Sequence, residues 1–304
     1  MRRRRPLLVR GVAALTVAVL LATCSGCEAR VYGNPGDPSE GPRRSVVPEA
    51  PTDATPLAPP KPTAVAFDDV AARAERARAE AAERGAEVAF RVLDRQTGRQ
   101  VAVGDSGLAT ASVVKVFIAD DLLKRQPDLS PADRKALEVM LRASDDNAAE
   151  EFWNRGGGDA IVERVAARYG LGATAPPSNG RWWNTVSSTA DLVRYYAKLL
   201  DGSGGLPPER ANIIVNHLAA STPDGIDGYP QRFGIPDGLP GEPVAVKQGW
   251  MCCIGSDWMH LSSGYVGADR RYVMVIYALQ PSDDATARAT ITDAIRTIFP
   301  GGRL

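Results

Sequence analysis

The chain is 304 residues long, with 36 lysines and arginines against 36 aspartates and glutamates, two histidines and four cysteines. Balanced charge with no basic block beyond the leader excludes a nucleic-acid surface. His217 and His260 form no metal-ligand spacing with the cysteines, which argues against a zinc site, and the few thiols cannot staple a small secreted fold, so a hydrophobic core has to supply the stability.

The chain opens on MRRRRPLLVRG, a basic start, followed by an apolar run from Gly11 to Thr23 that has the length of an export signal and is too short for a membrane span. Arg4-Arg5 ahead of Pro6-Leu7-Leu8 is compatible with twin-arginine export. The run ends in LLATCSGCEAR, which resembles the lipobox of bacterial lipoproteins. Cys27, after Ser25-Gly26, is the first choice for lipidation and Cys24 the second. Lipid there would tether the chain to the outer face of the cytoplasmic membrane; a plain cleaved signal is the alternative. Residues 28–63 are crowded with proline and small polar residues and show no apolar period, which reads as an extended, disordered spacer. The expected organisation is a signal peptide over 1–27, a linker over 28–63 and one domain over 64–304.

Within that domain, FDDVAARAERARAEAAERG predicts a helix capped by Asp68 or Asp69 and closed by Gly85. EVAFRVLDRQTGRQVAVGD alternates about Gln96-Thr97-Gly98 and predicts a hairpin. The middle is helical: ASVVKVFIADDLL, SPADRKALEVMLRAS with Ser130 as cap and Pro131 in the first turn, GGDAIVERVAARYG, and STADLVRYYAKLLDG with Asp191 as cap. VAVKQGWMC, WMHLSSGYVGA and RRYVMVIYAL read as three strands, and SDDATARATITDAIRTIF as a closing helix. Strands at both ends with helices between predict an α+β fold, an antiparallel sheet from both chain ends with a helical insertion. Cys252 and Cys253 are adjacent; their alpha carbons lie about 3.8 Å apart across a trans peptide, below the usual disulfide range, so two free, partly buried thiols are expected and a bridge is the alternative.

Ser112 and Lys115 stand three apart at the start of a helix and so share a face. A helix amino terminus favours negative charge on the hydroxyl, and burial beside Val113, Val116 and Phe117 lowers the lysine pKa toward a neutral amine. Six lysines stand against thirty arginines in this chain, which inclines the reading of a lysine toward what arginine cannot do, namely lose a proton. Alone the pair reads more readily as an ordinary helix start. Two further groups stand beside it: Ser144-Asp145-Asp146-Asn147 in a polar turn, where Ser144 is alternatively a helix cap, and Lys247-Gln248-Gly249 on a strand, where the lysine alternatively guards an edge and the glycine permits close approach.

In this order the three groups resemble the signature of the class A β-lactamases and D,D-peptidases, Ser-x-x-Lys, Ser-Asp-Asn and Lys-Thr-Gly. The resemblance covers nearly the whole domain. It implies that Ser112 is an acylated nucleophile, Lys115 its base, Ser144 a proton relay and Lys247 the partner of that relay and of a substrate carboxylate. The backbone N–H groups of Ser112 and Trp250 would form the oxyanion hole. It implies no cofactor. The departures concern substrate binding: Asp146 replaces an asparagine, unless Asn147 supplies the amide, and Gln248 replaces a hydroxyl residue. Between Glu163 and Glu209 there is no glutamate to activate a deacylating water; Trp182, Trp183 and Asn184 occupy that loop and either line the cleft or pack on the core. The expectation is an envelope serine hydrolase acylated by β-lactams or a peptidoglycan-derived amide, poor at deacylation, membrane-anchored through lipid and monomeric by default. A non-catalytic cell-wall-binding lipoprotein and an efficient β-lactamase are the alternatives.

Overall fold

The computed structural model describes residues 67–104 and 107–304; the expected signal peptide, the expected spacer and both candidate lipidation cysteines, Cys24 and Cys27, lie outside them. The first element is α1 (Phe67–Glu83), whose buried residues Phe67, Val70, Ala74, Ala77 and Ala81 recur at helical spacing. It takes in both Asp68 and Asp69, so neither stands ahead of it as the expected cap. Gly85, at φ +76°, then turns the chain into β1 (Glu87–Asp94), using a left-handed conformation that costs glycine nothing. The expected hairpin follows, with β2 (Gln100–Val103) paired so that Phe90 faces Val103.

A short pair, β3 (Leu108–Ala109) with β4 (Val186–Ser187), joins the two ends of a helical segment. That segment holds α2 (Lys115–Arg125), α3 (Pro131–Arg142), α4 (Asp146–Gly156) and α5 (Ala160–Tyr169). Beyond β4 come α6 (Thr189–Asp201), α7 (Pro208–Ala219) and the single turn α8 (Ile235–Gly238). Ser130 caps α3 as expected, accepting from the Asp133 N–H at 3.0 Å. For α6 the cap is Ser188, at 3.1 Å from the Asp191 nitrogen. Asp191, expected in that role, instead accepts from Ala173 N–H at 2.7 Å and Thr174 Oγ1 at 3.0 Å, pinning the loop after α5.

The chain closes with β5 (Val244–Ile254), β6 (Asp257–Val266), β7 (Tyr272–Gln280) and α9 (Asp284–Ile298). The strands lie in the order β2-β1-β7-β6-β5, every pairing antiparallel, so the first and last strands of the chain are neighbours. Both faces are covered. Val273, Val275 and Tyr277 pack toward the helices of the middle segment, while Met274, Ile276 and Ala278 pack toward α1, α8 and α9. A strand buried on both faces reads as an unbroken apolar run, which is why YVMVIYAL carries no alternation.

The same period of two sorts β5. Ala245 and Met251 belong with the middle helices, whereas Val246 and Trp250 pack on the α8 and α9 side. Lys247 therefore points toward the helical segment and Gln248 away from it.

Candidate active site

The site forms where α2, the turn between α3 and α4, and β5 converge. Ser112 lies in a 3-10 turn, Ala111–Val114, and Lys115 is the first residue of α2. Ala111, just ahead of the serine, has φ +43°, and Ser144, between α3 and α4, has φ +59°. Left-handed backbone at residues other than glycine costs energy that the surrounding packing must hold, and such residues gather at functional sites. Ser144 does not cap α4; Asp145 does, accepting from Ala148 N–H at 2.7 Å. The Ser144 hydroxyl is thereby left to the site.

Lys115 Nζ donates toward Ser112 Oγ at 2.8 Å, the Ser144 carbonyl at 2.7 Å, Ser144 Oγ at 3.1 Å and Asp146 Oδ1 at 2.6 Å. From the far side, Lys247 Nζ reaches Ser144 Oγ at 2.8 Å and its own strand's Gln248 carbonyl at 3.1 Å. The Ser144 hydroxyl thus bridges two lysine amines, and one of those amines touches Ser112. An ammonium has three hydrogens, so Lys115, with four oxygens around it, has room to accept from a hydroxyl once it is neutral.

Burial sets the electrostatics. Lys115 is fully enclosed, and desolvation, the largest influence, pushes its pKa down; the carboxylates of Asp146, Asp145 and Asp227 push back. Lys247, 1 % exposed, is pushed well below the ordinary lysine range by burial and then by the charge of Lys115. Two like charges this close disfavour each other, and the Ser144 hydroxyl links the two amines.

Over this sits a cleft of about 210 Å³ whose lining includes Ser112, Asp146, Trp182, Trp183, Asp227 and Trp250. Ser112 and Trp250, the expected oxyanion pair, stand on its walls. So do Trp182 and Trp183; the Trp182 ring lies 4.8 Å from Lys115 Nζ, and its Nε1–H donates to Glu150 Oε2 at 3.0 Å. Met251 also lines the cleft.

Three expected substrate contacts are placed elsewhere. The Gln248 amide donates to the Gln231 carbonyl at 2.9 Å and the Phe233 carbonyl at 2.6 Å on the other face of β5. Asn147 is exposed on α4 outside the lining. Gly249 serves close packing: a β-carbon there would lie 2.6 Å from the Thr110 carbonyl, so the glycine lets β5 press against the turn that carries Ser112. Asp227 is the lining residue that no motif announces; its position between glycines in GIDGY reads as an ordinary turn. Cys252 and Cys253 are exposed and joined in a disulfide, contrary to the expectation of free, partly buried thiols. That expectation assumed a trans peptide, and the bond between them is cis, which brings the alpha carbons to 2.9 Å.

The fold is that of the class A β-lactamases and penicillin-binding proteins. A class A β-lactamase from Mycobacterium abscessus superposes with a TM-score of 0.60 at 17% identity, covering 74% of this chain and 97% of that one. A β-lactamase from Chitinophaga pinensis gives 0.59 at 15%, covering 75% and 98%. PBP-A gives 0.60 at 18%, covering 75% and 94%. No family model matches the chain. Its curated relatives carry the description "Putative lipoprotein LppW": those of Mycobacterium tuberculosis and Mycobacterium bovis are each 56% identical over 319 residues, 99% of this chain and 100% of the relative. The chain belongs to the LppW family.

Proposed function

We propose that this chain is a serine acyl hydrolase of the cell envelope that is acylated at Ser112 by an amide or ester donor, β-lactams included, and releases the acyl group slowly. The observation that carries the reading is the line of contacts from Ser112 Oγ through Lys115 Nζ and Ser144 Oγ to Lys247 Nζ, at 2.8, 3.1 and 2.8 Å. In the first step the Ser112 Oγ–carbon bond forms as Lys115 takes the hydroxyl proton. The carbon–nitrogen bond then breaks, and the proton passes through Ser144 to the leaving nitrogen. Water later cleaves the acyl ester, giving the free acid and restoring the Ser112 proton. Lys247 keeps the Ser144 hydroxyl oriented.

Slow release follows from the absence of glutamate between Glu163 and Glu209 and from the engagement of nearby Glu150 by the Trp182 indole. The ion pair of Asp146 with Lys115, at 2.6 Å, favours a second reading, because a lysine held charged is a poor base and suits a binding protein on the same fold. The signal-like start, the lipobox-like segment at Cys27 and the description of the LppW relatives support a lipid-anchored domain on a spacer over 28–63, lifted from the outer face of the membrane.

The test is intact-protein mass spectrometry of the full chain incubated with a penicillin and, separately, with a neutral aryl ester, beside Ser112→Ala. A persistent acyl adduct confined to the serine-bearing chain is expected. No adduct with either reagent would overturn the nucleophile, and substrate loss without accumulating adduct would overturn slow release.

A further inference from the structure

We infer that the cleft favours acyl donors whose leaving group is neutral or cationic, and that a free carboxylate beside the scissile bond, as in a penicillin, slows acylation of Ser112 without preventing it. The inference rests on the reading of Ser112 as the nucleophile and narrows it to a substrate class.

The cleft wall carries two carboxylates, Asp146 at the start of α4 and Asp227 from the loop ahead of α8, and no lysine or arginine stands among its described lining residues. Asp227 is held in place: its Oδ1 accepts from Tyr229 N–H at 3.0 Å, Gly225 N–H donates to the Tyr229 carbonyl at 2.8 Å, and Ile226 N–H to the Ala143 carbonyl at 2.7 Å. The loop is thus fastened to the residue next to Ser144. The two lysines of the site lie beneath the surface. Lys115 is matched by Asp146, and Lys247 is committed to Ser144 and the Gln248 carbonyl, in a place where burial drives it toward neutrality. Arg181, exposed and outside the lining, packs its guanidinium over the Trp183 ring at 5.4 Å.

With two carboxylates and no lysine or arginine among the described lining residues, the mouth of the site is negative. A cleft lined by one sign of charge with low-dielectric walls concentrates its field. Nor is there a compensating anchor for an anion, because the Gln248 amide faces the other side of β5. Trp182 and Trp183 add aromatic surface to the lining, which tolerates an ammonium and offers a carboxylate nothing.

The experiment uses the full chain and three phenylacetyl thioesters that differ only in the leaving thiol: propanethiol, thiocholine and 3-mercaptopropionate. In each, the Ser112 Oγ–carbon bond forms, the carbon–sulfur bond breaks and the serine proton leaves with the thiol. Adduct formation should be at least about tenfold faster with the thiocholine and propyl esters than with the carboxylate, a ratio that corresponds to about 1.4 kcal/mol. The gap should narrow with added salt and in Asp227→Asn. A carboxylate ester that reacts as fast as the others, or an unchanged ratio in Asp227→Asn, overturns the inference. Calorimetry of the three matching amides with Ser112→Ala reads the same preference without chemistry. Retained preference with no acylation in the parent chain condemns the nucleophile alone; acylation without preference condemns the charge inference alone.

Discussion

In the proposed reaction Lys115 is the residue on which the chemistry turns, because it must be buried enough to lose its proton and close enough to Ser112 to use it. Lys115→Arg keeps the charge and removes the base. Its acylation rate should fall by about 10²–10⁴-fold, the usual span of a general-base contribution, with the circular dichroism spectrum unchanged. Asp146 pulls the other way, its carboxylate opposing the desolvation that lowers the Lys115 pKa. In Asp146→Asn that opposition disappears, the Lys115 pKa falls further, and the rising limb of the acylation rate against pH should move to lower pH. A limb that stays in place would mean that another group titrates there. Glutamine at 248 was open to the opposite reading from the one the structure supplies: its amide is a donor in the right motif, and only the period of two along β5 turns it to the far face.

At the scale of elements, the site depends on how closely β5 approaches the 3-10 turn of Ser112. Gly249→Ala would put a β-carbon 2.6 Å from the Thr110 carbonyl, and backbone cannot yield as a side-chain tip does. The expected cost is about 1–3 kcal/mol, typical of overpacking, read by urea denaturation, together with loss of acylation. Gly172→Ala, where nothing lies within 4 Å, is the neutral control. Much of this level is legible in the sequence. The hairpin about Gly98, the capped α3, the three closing strands and the order of Ser112, Ser144 and Lys247 all follow from period, punctuation and motif. Less visible is α7: Ala211, Ile214, Val215 and Leu218 keep helical spacing, but glycines and prolines on both sides give the segment the look of a loop. Asp227 was illegible for a different reason. A loop residue reaches a site through the path of the whole loop, which no local pattern encodes.

Across the whole molecule, buried titratable groups make stability depend on pH. His260 is fully buried against Tyr229 and Asp284, with Nδ1 lacking a partner among the described residues, and burial holds its pKa down to about 4. The unfolded chain takes up that proton near pH 6.5, so between pH 6.5 and 4 the unfolded state binds more protons and stability falls with acidification. The loss should approach roughly 3 kcal/mol at the acid end, and the melting temperature of His260→Gln should be flatter over that interval. Above pH 10 the direction reverses. Tyr195 and Tyr265, raised well above the ordinary phenol range by burial, keep protons that the unfolded chain gives up, so alkali destabilises. The pairing of β1 with β7 has a consequence of another kind, in the order of synthesis. The strand beside β1 is the last one made, and long-range pairing has to wait for it. While the ribosome is still adding residues, the leading hairpin has no neighbour on its β7 side, and Lys247 reaches Ser144 only once β5 and its one partner strand, β6, have followed. A chain stopped before Val244 would hold Ser112 and Lys115 without the strand that carries Lys247 to Ser144.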